Sequence, residues 1–223
     1  MDPLAGTPWS AAGTVEGFAK SLPNDVLMRF AAKHVRAGRA LDLGCGAARN
    51  AVPLAQLGWD VVGTDLSWPM IAAAELRAAS EQVSNRVQLV LAPMDRLPFC
   101  DRSFDLLVAH GIWNLARSAP EFRSAVREAA RVGKPGASLF VFTFSRNTLP
   151  AGAEPVRGEP FVFTQFSGQP QCFLTEDQLV AELGACGFRP DPRVPLREYN
   201  RRPESSIGGG PPVIYEAAFR LLA

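Results

Sequence analysis

Asp42, Gly44, Gly46 and Asp65 are the residues whose types and spacing point to chemistry in this chain. The first three lie in ALDLGCGAARN, positions 40–50, where an apolar run hands over to a helical pattern. Packing explains Leu41 and Leu43, but not an aspartate and two glycines among them. Glycines at a strand-to-helix turn let the backbone approach a ligand closely, because no side chain stands in the way. Asp65 ends the run VVGTD. It follows Gly46 at close to the spacing of about 20 residues at which a nucleotide-fold acid reaches ribose hydroxyls. A dinucleotide loop, G-x-G-x-x-G, would put its third glycine at Arg49, which is wrong for close helix–strand packing beneath a pyrophosphate. A carboxylate ahead of the loop sits badly beside a diphosphate and well beside an ammonium group. Asp42 therefore points to a ligand with a cationic amino end and a ribose.

The elements that must position these residues alternate along the chain. RALDL (39–43), WDVVGTDL (59–66), RVQLVLAP (86–93), SFDLLVAH (103–110) and ASLFVFTF (137–144) read as apolar strands. Between them NAVPLAQLG (50–58), WPMIAAAELRAASEQ (68–82) and EFRSAVREAARV (121–132) have helical spacing, the last ended by the turn GKPGA. This pattern predicts an α/β, doubly wound, mostly parallel sheet, with every parallel strand's carboxyl end on one edge, where such folds bind ligands. Ahead of the first strand, LPNDVLMRFAAKHVRAG predicts a leading helix starting near Asn24 or Asp25.

LDLGCGAARN resembles motif I of the class I S-adenosylmethionine-dependent methyltransferases, with Ala48 at the family's third small position. GTDLSWPMI resembles the second motif, and APMDRLPFCDRSFDLLVAHGIWNL the next two. RVGKPGASLFVFTF resembles the later turn and strand. The match spans roughly residues 38–144, four motifs in the right order. It implies a Rossmann-like methyltransferase fold that binds S-adenosyl-L-methionine and releases S-adenosyl-L-homocysteine. It also implies that Asp42, Gly44, Cys45 and Gly46 hold the amino-acid end. Asp65, Leu66 and Met70 then hold the ribose side, and Met94 and Asp95 the adenine. HGIWNL (110–115) takes the family's place nearest the methyl group, making His110 a candidate general base and a cofactor contact. A ring packed on the cofactor is the plainer role for it. Trp113 and Asn114 are candidate acceptor contacts, or a core tryptophan and a turn residue. The chain has no Asn/Asp-Pro-Pro-aromatic signature, which argues against amino groups of DNA bases and of glutamine as acceptors. Taken singly, a glycine pair is a tight turn and Asp65 a helix cap. Their coincidence with Asp95 and the strand order carries the reading.

Residues 145–173 are rich in Pro and Gly and hold Phe161, Phe163, Phe166 and Phe173. These are candidates for an apolar lid, Phe163 and Phe166 above all, or for anchors of the loop. LTEDQLVAELGACGF (174–188) predicts a helix with a Thr175–Gln178 capping box. VPLREYN and PVIYEAAFRLL, joined across GGGPP, predict two antiparallel closing strands. The whole, 1–223, reads as one domain: lid and helix 1–37, with Trp9 folding over the cofactor, core 38–144, insertion 145–173 and closing part 174–223. A net charge of +1 removes the electrostatic argument for nucleic acid or a membrane surface. REYNRRPE (197–204) reads as a solvated basic turn and His34 as a helix-surface residue. Scattered cysteines (45, 100, 172 and 186) and two distant histidines predict buried free thiols and no metal site, and fit a reducing cytoplasm. No apolar run approaches the roughly 20 residues of a membrane helix. The expectation is a cytoplasmic methyltransferase for a small-molecule acceptor, of open oligomeric state. A nicotinamide-dependent (NAD(P)) oxidoreductase and a non-catalytic cofactor-binding partner subunit stay as alternatives.

Overall fold

The computed structural model describes residues 2–33, 37–201 and 211–222. His34, the residues of REYNRRPE beyond 201 and the GGG of the GGGPP link lie outside the described residues. Five parallel strands follow the order the apolar runs predict: β1 (Arg39–Leu43), β2 (Asp60–Asp65), β3 (Val87–Leu91), β4 (Phe104–His110) and β5 (Gly133–Phe144). Past them lie β6 (Val162–Phe163), β7 (Gln171–Cys172), β8 (Phe188–Pro190), β9 (Arg197–Tyr199) and β10 (Ile214–Leu221). The main sheet runs β3-β2-β1-β4-β5-β10-β8, with β9 also pairing β10, while β6 and β7 form a separate hairpin. β10 is antiparallel to β5, β8 and β9, so the final strand sits inside the sheet.

The helices are α1 (Ala12–Ala19), α2 (Asp25–Ala32), α3 (Ala51–Gln56), α4 (Trp68–Ser80), α5 (Ala119–Val132) and α6 (Glu176–Ala185). Their starts are chemically marked. Asn24 accepts from Leu27 N at 2.8 Å, Ser67 from Met70 N at 3.3 Å, and Ser118 from Glu121 N at 3.2 Å. Thr175 and Gln178 complete the predicted capping box. One face of the sheet packs Ala40, Val61, Val108 and Phe140 against α2, α3 and α4. The other packs Leu41, Leu107, Leu139 and Phe219 against α5 and α6. No helix among the described residues is long and apolar enough to cross a membrane.

Two details differ from the sequence reading. The turn GKPGA is absorbed into β5: Gly133 pairs with Phe104, Ser138 with Leu106, and the register shifts between them. Gly136, at φ +79°, takes the left-handed conformation there. β8 was not foreseen, because three residues after a helix leave too short an alternation to read.

Candidate functional site

The carboxyl ends of β1, β2 and β4 meet the loop 44–50, and its backbone is shaped by three left-handed residues: Gly44 (φ +63°), Gly46 (φ +52°) and Ala48 (φ 59°). A Cβ at Gly44 would lie 2.5 Å from Ile112 Cδ1, and one at Gly46 would meet the Phe18 ring at 3.2 Å. Only glycine fits the first site. Ala48 keeps a glycine-like conformation at the position where the resemblance expects a third small residue, at some steric cost. Cys45 turns inward, its thiol packing where a Cβ on Gly63 would come to 2.8 Å, so only its backbone lines the loop.

Asp65 braces this loop. One carboxylate oxygen accepts from Gly46 N at 2.9 Å and the other from Ser67 N at 2.8 Å. Burial raises its pKa, and the N–H groups of Ser67, Gly46 and Leu66 oppose the rise. Each oxygen keeps a second lone pair, which is what a ribose diol needs. The helix-cap alternative for Asp65 falls away, since Ser67 caps α4. Leu66 is half-buried and Met70 buried beside it.

Asp42 lies deeper, 1 % exposed, with its Oδ2 lacking a hydrogen-bond partner. Burial pushes its pKa up to about 7; the Arg49 guanidinium opposes this and Asp65 adds to it. Arg49, half-buried, lies within reach of His110, its Nη2 3.4 Å from the imidazole Nε2. Asn24 Nδ2 lies 3.3 Å from the same nitrogen and donates to Glu216 at 2.8 Å. His110 also stacks on Phe142, centroids 4.1 Å apart. Burial first, and Arg49 second, pull its pKa down to about 3. The ring is therefore neutral, with its Nε2 lone pair facing two donors. That environment works against the base role read from the sequence.

The N-terminal segment covers this edge. Ser67 Oγ donates to the Trp9 carbonyl at 3.1 Å, Trp68 N donates to Asp2 at 3.1 Å, and Arg77 holds the carbonyls of Ala19 and Ser21. Trp9 packs edge-on against Phe18 above Gly46.

The remaining candidates divide. Met94 and Asp95 lie in the half-buried turn after β3. Among the described residues no hydrogen bond reaches the Asp95 carboxylate; its backbone carbonyl accepts from Ser124 at 3.5 Å. Trp113 is fully buried, packed edge-on against Phe122, so it takes the core role. Asn114 is 2 % exposed with its Oδ1 unpartnered. Of the insertion's phenylalanines, Phe161 packs on Phe122 under Arg123, away from the others. Phe163 and Phe173 are buried in a small cluster with Leu149, and Phe166 alone is exposed, at 44 %. Phe166 sits edge-on to Phe144, 5.3 Å between centroids. Of the four rings only Phe166 stands at the surface, on a buried anchor in which Arg146 lies over Phe163 and donates to four carbonyls of 149–153. Arg49, Asn24, Phe142 and Phe144 were missed as site residues. Cys45 and Cys172 are buried free thiols as expected, whereas Cys186 is half-buried and Cys100 exposed, being in a surface turn.

Residues 41–141 match the family described as "Methyltransferase domain". A demethylmenaquinone methyltransferase of Corynebacterium glutamicum is 37% identical over 166 residues, covering 67% of this chain and 67% of that protein. Among solved structures, the [4+2]-cyclase SpnF superposes with a TM-score of 0.62 at 27% identity, over 77% of this chain and 59% of that one. A 1,6-didemethyltoxoflavin-N1-methyltransferase of Burkholderia thailandensis, solved with its acceptor and S-adenosylhomocysteine, gives 0.64 at 18% identity, over 88% and 78%.

Proposed function

The chain belongs to the class I S-adenosylmethionine-dependent methyltransferases, and on that premise we propose that its small-molecule acceptor is a flat, largely apolar hydroxyaromatic compound. S-adenosylmethionine supplies a methyl carbon already activated by its sulfonium. The protein's part is to hold the cofactor, exclude water and align the acceptor behind that carbon. In this reading Asp42 and the backbone of Gly44, Cys45 and Gly46 take the amino-acid end. Asp65, with Leu66 and Met70, takes the ribose, and Met94 and Asp95 flank the adenine. The observation that carries the acceptor class is a row of partly buried rings at the ends of β4 and β5: His110 stacks on Phe142, and Phe144, two residues on in the same strand, meets the exposed Phe166 edge-on. Flat rings favour offset or edge-on contact with other flat rings. The name of the Corynebacterium relative points to a quinone-type acceptor, and a bicyclic ring system is what such a row accommodates. Asn114 remains a candidate for the acceptor's polar group. The insertion 145–173 is the substrate side of a single domain, and cytoplasmic residence agrees with free thiols that include the exposed Cys100. The neutral balance of charge gives nucleic acid no part in this reading.

Incubation with methyl-labelled S-adenosylmethionine and a panel of acceptors tests the proposal. Label is expected in bicyclic hydroxyarenes or quinols and not in aliphatic amines or thiols of similar size; the reverse ranking would sink the acceptor class. His110 is assigned here to positioning rather than to proton removal. His110→Gln, which keeps an acceptor for Arg49, is expected to lower turnover by less than about tenfold, where loss of a general base costs about 10²–10⁴-fold. The kcat–pH profile of the parent protein should carry no limb near pH 6.5 that His110→Gln removes.

A further inference from the structure

Glu216 is a buried carboxylate that the cofactor has no use for. It lies in β10, 5% exposed, directly opposite Phe142 in β5 and Arg197 in β9, and Phe142 is in turn opposite His110 in β4. Residues paired in this way project to the same face of a sheet, so the four side chains form one line across it. Glu216 Oε1 accepts from Asn24 Nδ2 at 2.8 Å. That amide cannot turn round, because its Oδ1 holds Leu27 N in the α2 cap. Its second hydrogen serves His110 Nε2, 3.3 Å away, so both amide hydrogens are engaged. Glu216 Oε2, by contrast, accepts nothing among the described residues and is not sealed from solvent. Nor does a cation close on it: Arg197 is exposed and makes no salt bridge among the described residues. Burying a carboxylate against one neutral donor is unfavourable, and a position that only had to be filled would suit an apolar residue better.

What stands around the open oxygen gives it a use. Two residues toward the rim, Phe144, Ile214 and Tyr199 pair across β5, β10 and β9, all three half-buried. The oxygen thus lies beneath an apolar rim that continues the rings assigned to the acceptor. We infer that Glu216 takes the proton from the acceptor's hydroxyl, while Asn24 steadies its other oxygen. The inference rests on the hydroxyaromatic reading and fills the role from which His110 is released. In the step, the O–H proton passes to Glu216 Oε2, and the pair left on the hydroxyl oxygen forms the bond to the methyl carbon. The carbon–sulfur bond breaks with its pair staying on sulfur, so the sulfonium becomes a thioether. One positive and one negative charge vanish together, which a site with little water favours. The carboxyl then returns its proton to solvent, to which Oε2 is open.

Glu216→Gln keeps the shape and an oxygen for Asn24 but cannot take a proton, and two acceptors read the difference. With a bicyclic hydroxyarene of ordinary acidity, kcat is expected to fall by about 10²–10⁴-fold, the range for loss of a general base. With a nitro-substituted hydroxyarene, already ionised at the assay pH, the loss should shrink to less than about tenfold, since no proton remains to be moved. S-adenosylhomocysteine should bind the variant within about twofold of the parent by titration calorimetry. A purely structural role would cost both acceptors alike. Equal losses for the two acceptors, or a kcat kept within about tenfold on the ordinary one, overturn the inference and leave the acceptor class standing. A parent protein that methylates no hydroxyarene refutes the hydroxyaromatic reading, and the inference with it. If Glu216→Gln fails to fold by circular dichroism, Glu216→Asp decides. Its carboxylate, one methylene shorter, should lose turnover on the ordinary acceptor and keep it on the ionised one; equal losses there overturn the inference.

Discussion

Asp65→Ala is expected to weaken S-adenosylhomocysteine binding by about 1–3 kcal/mol, roughly five- to 150-fold in affinity, measured by titration calorimetry. Part of the loss is direct: a ribose diol loses a charged acceptor. The rest is indirect, because Asp65 also receives the N–H groups of Gly46 and Ser67, and so ties the glycine loop to the start of α4. Asp65→Asn separates the two. Its amide keeps one oxygen for a backbone donor but presents an N–H₂ to the other, so it should repair only part of the deficit. The loop is seated by other means as well, including the Cys45 N–H donated to the Thr64 carbonyl at 2.8 Å, so the Ala variant should still fold. Unchanged affinity in a folded Asp65→Ala protein would remove Asp65 from the cofactor site.

The largest effect on stability is expected from Phe219→Ala. Phe219 is fully buried in β10, pairs with Leu139 on one side and Pro190 on the other, and faces the core beneath α5 and α6. Truncating a buried phenylalanine costs about 3–5 kcal/mol, a large share of the 5–15 kcal/mol that is typical of a whole domain. At about 2–4 °C per kcal/mol for a chain of this size, the melting temperature should fall by about 6–20 °C. Leu222→Ala, three residues on and 52% exposed, is the control and should change stability by less than about 0.5 kcal/mol. A Phe219→Ala protein that melts with the parent would refute the interior position of β10.

What was legible in the sequence was whatever local chemistry writes down. Alternating apolar runs and helical spacing give β1 to β5 and the helices between them, because each such element carries its own period. Asn24 and Thr175 mark helix starts by the same logic, whereas the caps Ser67 and Ser118 went unread. The glycine loop and Asp65 were legible because their backbone and spacing requirements are specific. Partnerships between distant residues were not. Glu216 is 5% exposed in a strand interior and is made tolerable by Asn24, 192 positions earlier. Nothing near either residue announces the other. Arg49 read only as a missing glycine, since the imidazole it reaches belongs to a histidine 61 residues away. The phenylalanines of 145–173 looked equivalent by composition. The β6–β7 hairpin then sent Phe161 to α5 and left Phe166 alone at the surface. Even for His110, singled out from its place after β4, the chemistry is set by what surrounds it: Arg49, Asn24 and the Phe142 ring.

The antiparallel strand lodged between β5 and β8 also bears on how the molecule is made. A ribosome delivers the five parallel strands first, and they can assemble while synthesis continues. Until residues 214–221 clear the exit tunnel, the backbone of β5 has an unclaimed border, with Leu139, Phe140 and Val141 along it. Such a border invites pairing with another nascent chain. A chain cut short before residue 214 would therefore keep that border open and be prone to clump, a natural client for chaperones and proteases.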